Sequence, residues 1–356
     1  MIATFYGKKV TGMLAALPQN VVPFEDEVSN YSFSEKQTLR LKKIMGYKQH
    51  RIAKPKTATS DLCIAGMERL LSTGKLNAND IGALIVVTIT PDHFMPHTSN
   101  IVQSKCNLPH SVLCMDISQG CAGFLIGLLQ AFMLLEHLGN KKVILINADV
   151  LSHKVSKADR NSYPLIGDCA SIAVVENVAN WAPAYLNIYM DGSRGGMLEI
   201  PAGGSRMPCT IETARLQDDG EGNLRSLDNM RMDGAGVFQF VQTDVPPMIT
   251  ETLEYAKVEK EDINWFLFHQ PNRFMLRKLV EKLEVPTCKV PMDEVENFGN
   301  PSGASIPLLI ASDLAETMLS GNTRCCLGAF GEGLCWGAIV LDLGGMDFCE
   351  MLVTDC

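Results

Sequence analysis

The chain has 356 residues, 46% of them apolar and only 20% charged, enough to bury a large core in two domains or one duplicated domain. Its net charge of -9 at pH 7 argues against nucleic acid or an anionic membrane as the principal partner. No run reaches the ~18 apolar residues that a membrane span requires and the N-terminus has no apolar leader core, so the expected location is the cytoplasm. The 12 cysteines are scattered, with no CxxC pair and no histidine at metal-ligand spacing, which points to reduced thiols and away from a metal centre.

In chain order, the first strong strand signal is Asn79–Val87, an Asp-Ile pair followed by a buried apolar run. Ser111–Met115 reads as another short buried strand. A turn then leads into a helix predicted from Ala122 to Gly139, where Gly139-Asn140 stops it. Cys121 is expected on the first turn of that helix. Unpaired amides and the positive dipole end there favour thiolate over thiol and can hold an oxyanion. A lone cysteine is by residue type more often a buried structural thiol, so the rest of the chain has to decide its role.

That decision begins with internal similarity, because four segments recur in the same order in the second half. Asn79–Val87 matches Glu261–His269, and Gln119–Leu125 matches Ser302–Leu308, each of the latter pair opening a helix. Lys141–Asn147 matches Thr323–Ala329 as the following strand, and Gly167–Val175 matches Gly333–Leu341 as a Gly-rich turn entering a closing strand. Strands alternating with helices in both halves predict two α/β units with mainly parallel sheets. The halves are expected at residues 1–178 and 179–356, joined near Asn177 to Pro183. The nearly all-round apolar helices from Gln119 and from Ser302 are then expected to lie buried between the sheets.

Duplication brings corresponding loops together, and three polar residues gain meaning from it. Cys121 lies in the first half. His269 ends the strand Trp265–His269, where Gln270-Pro271-Asn272 breaks the run and puts the imidazole at the carboxyl edge of a sheet. Asn300 precedes the second-half helix that corresponds to the Cys121 helix. The other histidines end no apolar strand in this way and are assigned surface or satisfied structural roles. A nucleophilic thiol with two polar donors at one edge is a catalytic constellation.

With Gln119-Gly-Cys-Ala-Gly123, His269-Gln-Pro-Asn272, Gly299-Asn-Pro-Ser-Gly-Ala-Ser-Ile-Pro307 and Ala329-Phe-Gly-Glu-Gly-Leu-Cys-Trp-Gly337 in order, the chain resembles the β-ketoacyl-acyl-carrier-protein synthases III of the thiolase superfamily along essentially its whole length. The resemblance implies a thiolase-like αβαβα fold, a homodimer, and a Cys121-His269-Asn300 site. It implies acylation of Cys121 from an acyl-CoA or acyl carrier protein, then decarboxylative condensation with malonyl carrier protein, with no metal or cofactor. It assigns the oxyanion donors to the backbone N–H groups of Cys121 and Glu332. It also places Arg160 near the nucleotide end of CoA, Met95 at the border of the dimer partner's acyl pocket, and Asn272 near the pantetheine or a structural water. The ordinary alternatives are a solvated arginine and a core methionine. Ile200–Arg206 is a Gly-rich loop similar to one at the entrance in some relatives.

Two departures qualify this. Where typical members carry a Trp and an Arg that clamp adenine, this chain has Arg40 and Ile44, which directs attention to a carrier protein, or to CoA held differently, as acyl donor. Arg273 directly follows Asn272, earlier than the family's arginine; with Arg277 and Lys278 it forms a basic stretch suited to an acidic carrier or to solvent. The alternative functions are a non-condensing acyltransferase passing the acyl group to an alcohol or amine, and a non-catalytic partner of another synthase. Retention of both His269 and Asn300 favours condensation, which needs two donors to an enolate. Type III polyketide synthases combine similar chemistry with different flanking motifs.

Overall fold

A computed structural model describes residues 1–356. The first strands are β1 (Ile2–Phe5) and β2 (Lys8–Pro18). The first half continues through β3 (Ile81–Val87), β4 (Leu113–Ile117), β5 (Lys142–Asp149) and β6 (Cys169–Asn177). The second contains β7 (Ala184–Met190), β8 (Trp265–Phe268), β9 (Asn322–Gly331), β10 (Cys335–Gly344) and β11 (Phe348–Thr354). One sheet has six strands in the order β11-β2-β6-β5-β3-β4, the other five in the order β1-β7-β10-β9-β8.

Period-two alternation within these apolar strands sets the layers. Met13, Ala15 and Leu17 of β2 face a central core, whereas Leu14 and Ala16 face an outer one. Likewise Leu327 and Ile339 of the five-stranded sheet face the centre, and Cys326, Ala338 and Val340 face outward. Of the helices, α1 (Glu35–Met45) stands apart with a capping box at Ser34, while α2 (Thr59–Ser72) and α3 (Thr98–Lys105) cover the outside of the six-stranded sheet. Between the sheets lies α4 (Gly123–Leu135). The outside of the five-stranded sheet is covered by α5 (Gly234–Thr243), α6 (Val245–Ala256) and α7 (Arg273–Leu283). After the short α8 (Glu294–Phe298) comes α9 (Ser305–Asp313), which joins α4 in the middle layer. The result is the expected αβαβα stack.

Three details differ from the sequence expectation. The sheets are mixed: β6 runs antiparallel to both β2 and β5, and β10 is antiparallel to β9 and β7. The tight turn between β9 and β10 can join only antiparallel strands, so β10 reverses direction. The terminal strands also change partners, β1 pairing with β7 and β11 with β2. The connection between β6 and β7 runs from Asn177 to Ala184, the stretch expected to join the halves. Finally, α4 begins at Gly123 and ends at Leu135, so Cys121 sits in the turn just ahead of the helix.

Candidate active site

The turn between β4 and α4 presents Cys121 beneath Gly331, the last residue of β9. A Cβ on Gly331 would lie 2.7 Å from the Cys121 Sγ, so the close approach of the halves requires glycine there. His269 follows β8 and is anchored by its N–H to the Gly328 carbonyl at 2.8 Å. Its Nδ1 is 2.7 Å from the Ser305 hydroxyl and its ring meets Phe330 edge-on at 5.8 Å between centroids. Burial, opposed only in part by the Ser302 backbone, lowers the imidazole pKa to about 3 and keeps the ring neutral. When Nδ1 accepts the Ser305 hydroxyl, Nε2 carries the ring proton.

Asn300 is held from the other half. Its N–H donates to Leu165 at 2.7 Å, and its carbonyl accepts from Gly167 N–H at 3.1 Å. Its Oδ1 accepts from Ser302 N–H at 2.9 Å, which orients the amide and leaves its NH2 group to donate. Cys121, His269 and Asn300 all line one cleft of about 740 Å3, with apolar walls from Leu41, Met45 and Phe238 among others. Both halves of the chain thus contribute to one chamber.

The expected thiolate is not what the site contains. Burial pushes the Cys121 thiol well above the usual thiol range, and the neighbouring Glu332 carboxylate raises it further. Sequence pattern suggests a helix dipole, but desolvation and a nearby negative charge outweigh it. Beyond the backbone role expected of it, Glu332 also places its side chain in the site. Its Oε2 accepts from Cys121 N–H at 3.0 Å, Oε1 accepts from Gly120 N–H, and Gln119 Nε2 is 2.8 Å from Oε1. The side chain therefore occupies a donor that the expected mechanism leaves free. The Glu332 N–H has no hydrogen-bond partner within the chain.

The remaining expected residues fall in several places. Asn272 lines the cleft, but its Oδ1 caps α7 by accepting from Met275 N–H at 2.8 Å. Arg160 does not line the cleft; its guanidinium lies over Phe33, 3.2 Å from the ring centre. Arg273 turns away from Cys121, contacts Glu296 and Asp293, and borders a separate groove of about 320 Å3 with Lys42, Lys43 and Lys48. Met95 is 84% exposed, as is Phe94 beside it, so the core-filling alternative for Met95 is excluded. Arg40 and Ile44 are outside the cleft, whereas their α1 neighbours Leu41 and Met45 line it. Residue pattern alone also missed Ser305, the walls at Met232 and Phe238, and the charged group Asp219, Glu221 and Arg225. Only Ser305 lay inside a recognised motif; the others come from a segment without periodicity.

Five alternating layers with an apolar cleft where the duplicated halves meet define a thiolase-fold acyltransferase. Comparison with known proteins narrows the class. Residues 115–192 match the family profile of 3-oxoacyl-[acyl-carrier-protein] synthase III, and residues 253–343 match that of its C-terminal part. The chain is 31% identical to a β-ketoacyl-[acyl-carrier-protein] synthase III of Rhodopirellula baltica, covering 93% of this chain and 97% of that protein. It is 33% identical to the one from Caldanaerobacter subterraneus, over 83% and 86% of the two chains. Among solved structures, a 3-oxoacyl-(acyl-carrier protein) synthase from Burkholderia xenovorans superposes with a TM-score of 0.92 at 29% identity, covering 99% of each chain. The synthase III of Thermus thermophilus does so with 0.80 at 28%, over 95% and 99%. The chain belongs to the 3-oxoacyl-[acyl-carrier-protein] synthase III family.

Proposed function

We propose that this protein is a 3-oxoacyl-[acyl-carrier-protein] synthase that starts acyl chains by condensing an acyl primer with malonyl carrier protein. The observation that carries the reading is the convergence of Cys121, His269 and Asn300 on one apolar cleft. Cys121 attacks the primer thioester, and its acyl-enzyme holds the chain while the first carrier leaves. Malonyl carrier protein then enters. Loss of CO2 leaves an enolate whose negative charge falls on the thioester oxygen, within the set of donors formed by His269 and the Asn300 amide. Each such donor contributes about 3 kcal/mol to the transition state. The carbanion attacks acyl-Cys121, giving a β-ketoacyl carrier protein and expelling the Cys121 thiolate, which takes a proton from water to return to the thiol.

The neutral His269 supports this reading, since a donor to an enolate needs an N–H and not a titrating base. An acidic carrier protein is the proposed partner, steered by the exposed Arg277 and Lys278 and by the basic groove beside Arg273. A cytoplasmic homodimer that works without cofactor or metal completes the proposal. No helix is long and apolar enough to cross a membrane.

Intact-protein mass after incubation with a panel of acyl-CoAs and acyl carrier proteins, with Cys121→Ala as control, tests it. The expected result is a Cys121-dependent adduct that malonyl carrier protein discharges to β-ketoacyl product with release of CO2. An adduct that malonyl carrier protein cannot discharge would replace condensation by simple acyl transfer, and a panel without any adduct would remove the nucleophile.

A further inference from the structure

One of the two expected oxyanion donors, the Cys121 N–H, is already held by a side chain. Glu332 directs its carboxylate to Gly120 N–H, Cys121 N–H and Gln119 Nε2, the arrangement a tetrahedral oxyanion would seek. Two consequences follow from its presence. No substrate oxygen can use the Cys121 N–H while the carboxylate is on it, and burial, with the neighbouring negative charge added to it, keeps the adjacent thiol protonated. One proton transfer frees the amide and removes the charge beside the thiol.

We propose that Glu332 is a further catalytic residue, the base that takes the Cys121 proton during acylation and, once neutral, yields the Cys121 N–H to the oxyanion. The proposal rests on Cys121 being the acylated nucleophile. In the step, the Cys121 S–H bond breaks as the bond from sulfur to the thioester carbon forms. The proton passes to the Glu332 carboxylate, and the carbonyl π electrons move onto the thioester oxygen. A neutral carboxylic acid accepts hydrogen bonds more weakly than a carboxylate, so the new oxyanion displaces it from the amide. Collapse re-forms the carbonyl, breaks the bond to the carrier sulfur, and Glu332 returns the proton to that leaving thiolate. One thioester replaces another with no oxidant, reductant or net proton. The side chain that closes the resting site against an oxyanion is the one whose protonation opens it.

The test compares wild type, Glu332→Gln and Glu332→Gly in single-turnover acylation followed by intact mass over about pH 6 to 9. Glutamine keeps the size and an acceptor oxygen but takes no proton; glycine empties the space. Both variants are expected to acylate at least ~10²-fold more slowly at pH 7 and to regain rate as pH rises and the thiol ionises unaided. General damage to the fold would not restore the rate as pH rises. Equal acylation rates and pH profiles in wild type and Glu332→Gln would overturn the proposal, as would faster acylation by Glu332→Gly, which would make the carboxylate only an obstruction. Absence of any Cys121 adduct in the wild type would remove the nucleophile itself, a different failure and a separate reading of the same experiment.

Discussion

His269 owes its neutral state to burial and not to a partner carboxylate. With a pKa of about 3, it stays neutral through the ordinary working range, so malonyl decarboxylation is expected to show no inflection near pH 6.5 from this residue. His269→Ala should slow CO2 release from malonyl carrier protein by ~10²- to 10³-fold while Cys121 acylation, followed by intact mass, persists. The same shift has a stability consequence with a definite sign. Because the folded pKa lies below the unfolded value of about 6.5, the unfolded chain binds the proton first; stability from His269 is complete above that pH and is lost as pH falls toward 3. Glu294 has the opposite dependence. Both of its carboxyl oxygens are buried without hydrogen-bond partners, and burial followed by the charge of Asp313 holds it protonated, well above the usual carboxyl range. Stability linked to Glu294 is therefore present below the unfolded carboxyl pKa and is lost as pH rises. Glu294→Gln should match wild type near about pH 4 and exceed it at higher pH, the gap growing by about 1.4 kcal/mol per unit until the folded carboxyl ionises. Denaturant melts at two pH values check this, and a gap that does not widen with pH would show that the carboxyl is ionised in the fold.

At the scale of elements, the site depends on how closely two loops approach. Gly167 leads into β6, and a Cβ there would lie 2.1 Å from the Phe298 carbonyl oxygen, at the end of α8. That contact is between backbones and cannot be relieved by turning a side chain. Gly167 N–H also donates to the Asn300 carbonyl, so the glycine joins the halves at the residue proposed to hold the enolate. Gly167→Ala should destabilise the protein by about 1 to 3 kcal/mol and displace Asn300, reducing condensation more than acylation. Equal loss of both half-reactions would indicate disturbance beyond the Asn300 loop. Most of these elements were legible because their chemistry is local: buried strands declare themselves as runs such as Ile144-Leu145-Ile146, and Gly-rich turns mark their ends. The end of α4 was less so. Apolar pattern carries the helix to Gly139, but the last turn tightens after Leu135, with Glu136 N–H bonded to Met133 and His137 N–H to Leu134.

Across the whole molecule, the long-range pairings tie chain ends to the opposite halves. β1 joins the five-stranded sheet and β11 the six-stranded one, so each half is completed by a strand from the other end of the sequence. Among the exposed apolar side chains, Phe94 and Met95 stand side by side, each 84% exposed. A homodimer that covers them is the expected solution state. Sedimentation should give twice the 39.0 kDa chain mass for wild type, and Phe94→Ser with Met95→Ser should weaken association by at least ~10-fold in Kd, corresponding to about 1.4 kcal/mol. A wild-type monomer at micromolar concentration would show that this surface serves another purpose.

Internal repetition in the sequence determined the duplicated α/β design, the two central helices, and the sheet edge to which Cys121, His269 and Asn300 belong. Such features are written in periodicity and in motifs that repeat, because the side chains that form each element are neighbours along the chain. Tertiary structure alone decided strand direction, the exchange of β1 and β11, and the electrostatics of the cleft. Desolvation and charge act through space. A thiol that helix position would ionise is held protonated because burial and Glu332, more than 200 residues away in sequence, reach it in the folded chain. Arg273, adjacent to a site motif in sequence, faces a different groove for the same reason: its direction is set by α7 and its acidic neighbours and not by its place in the chain.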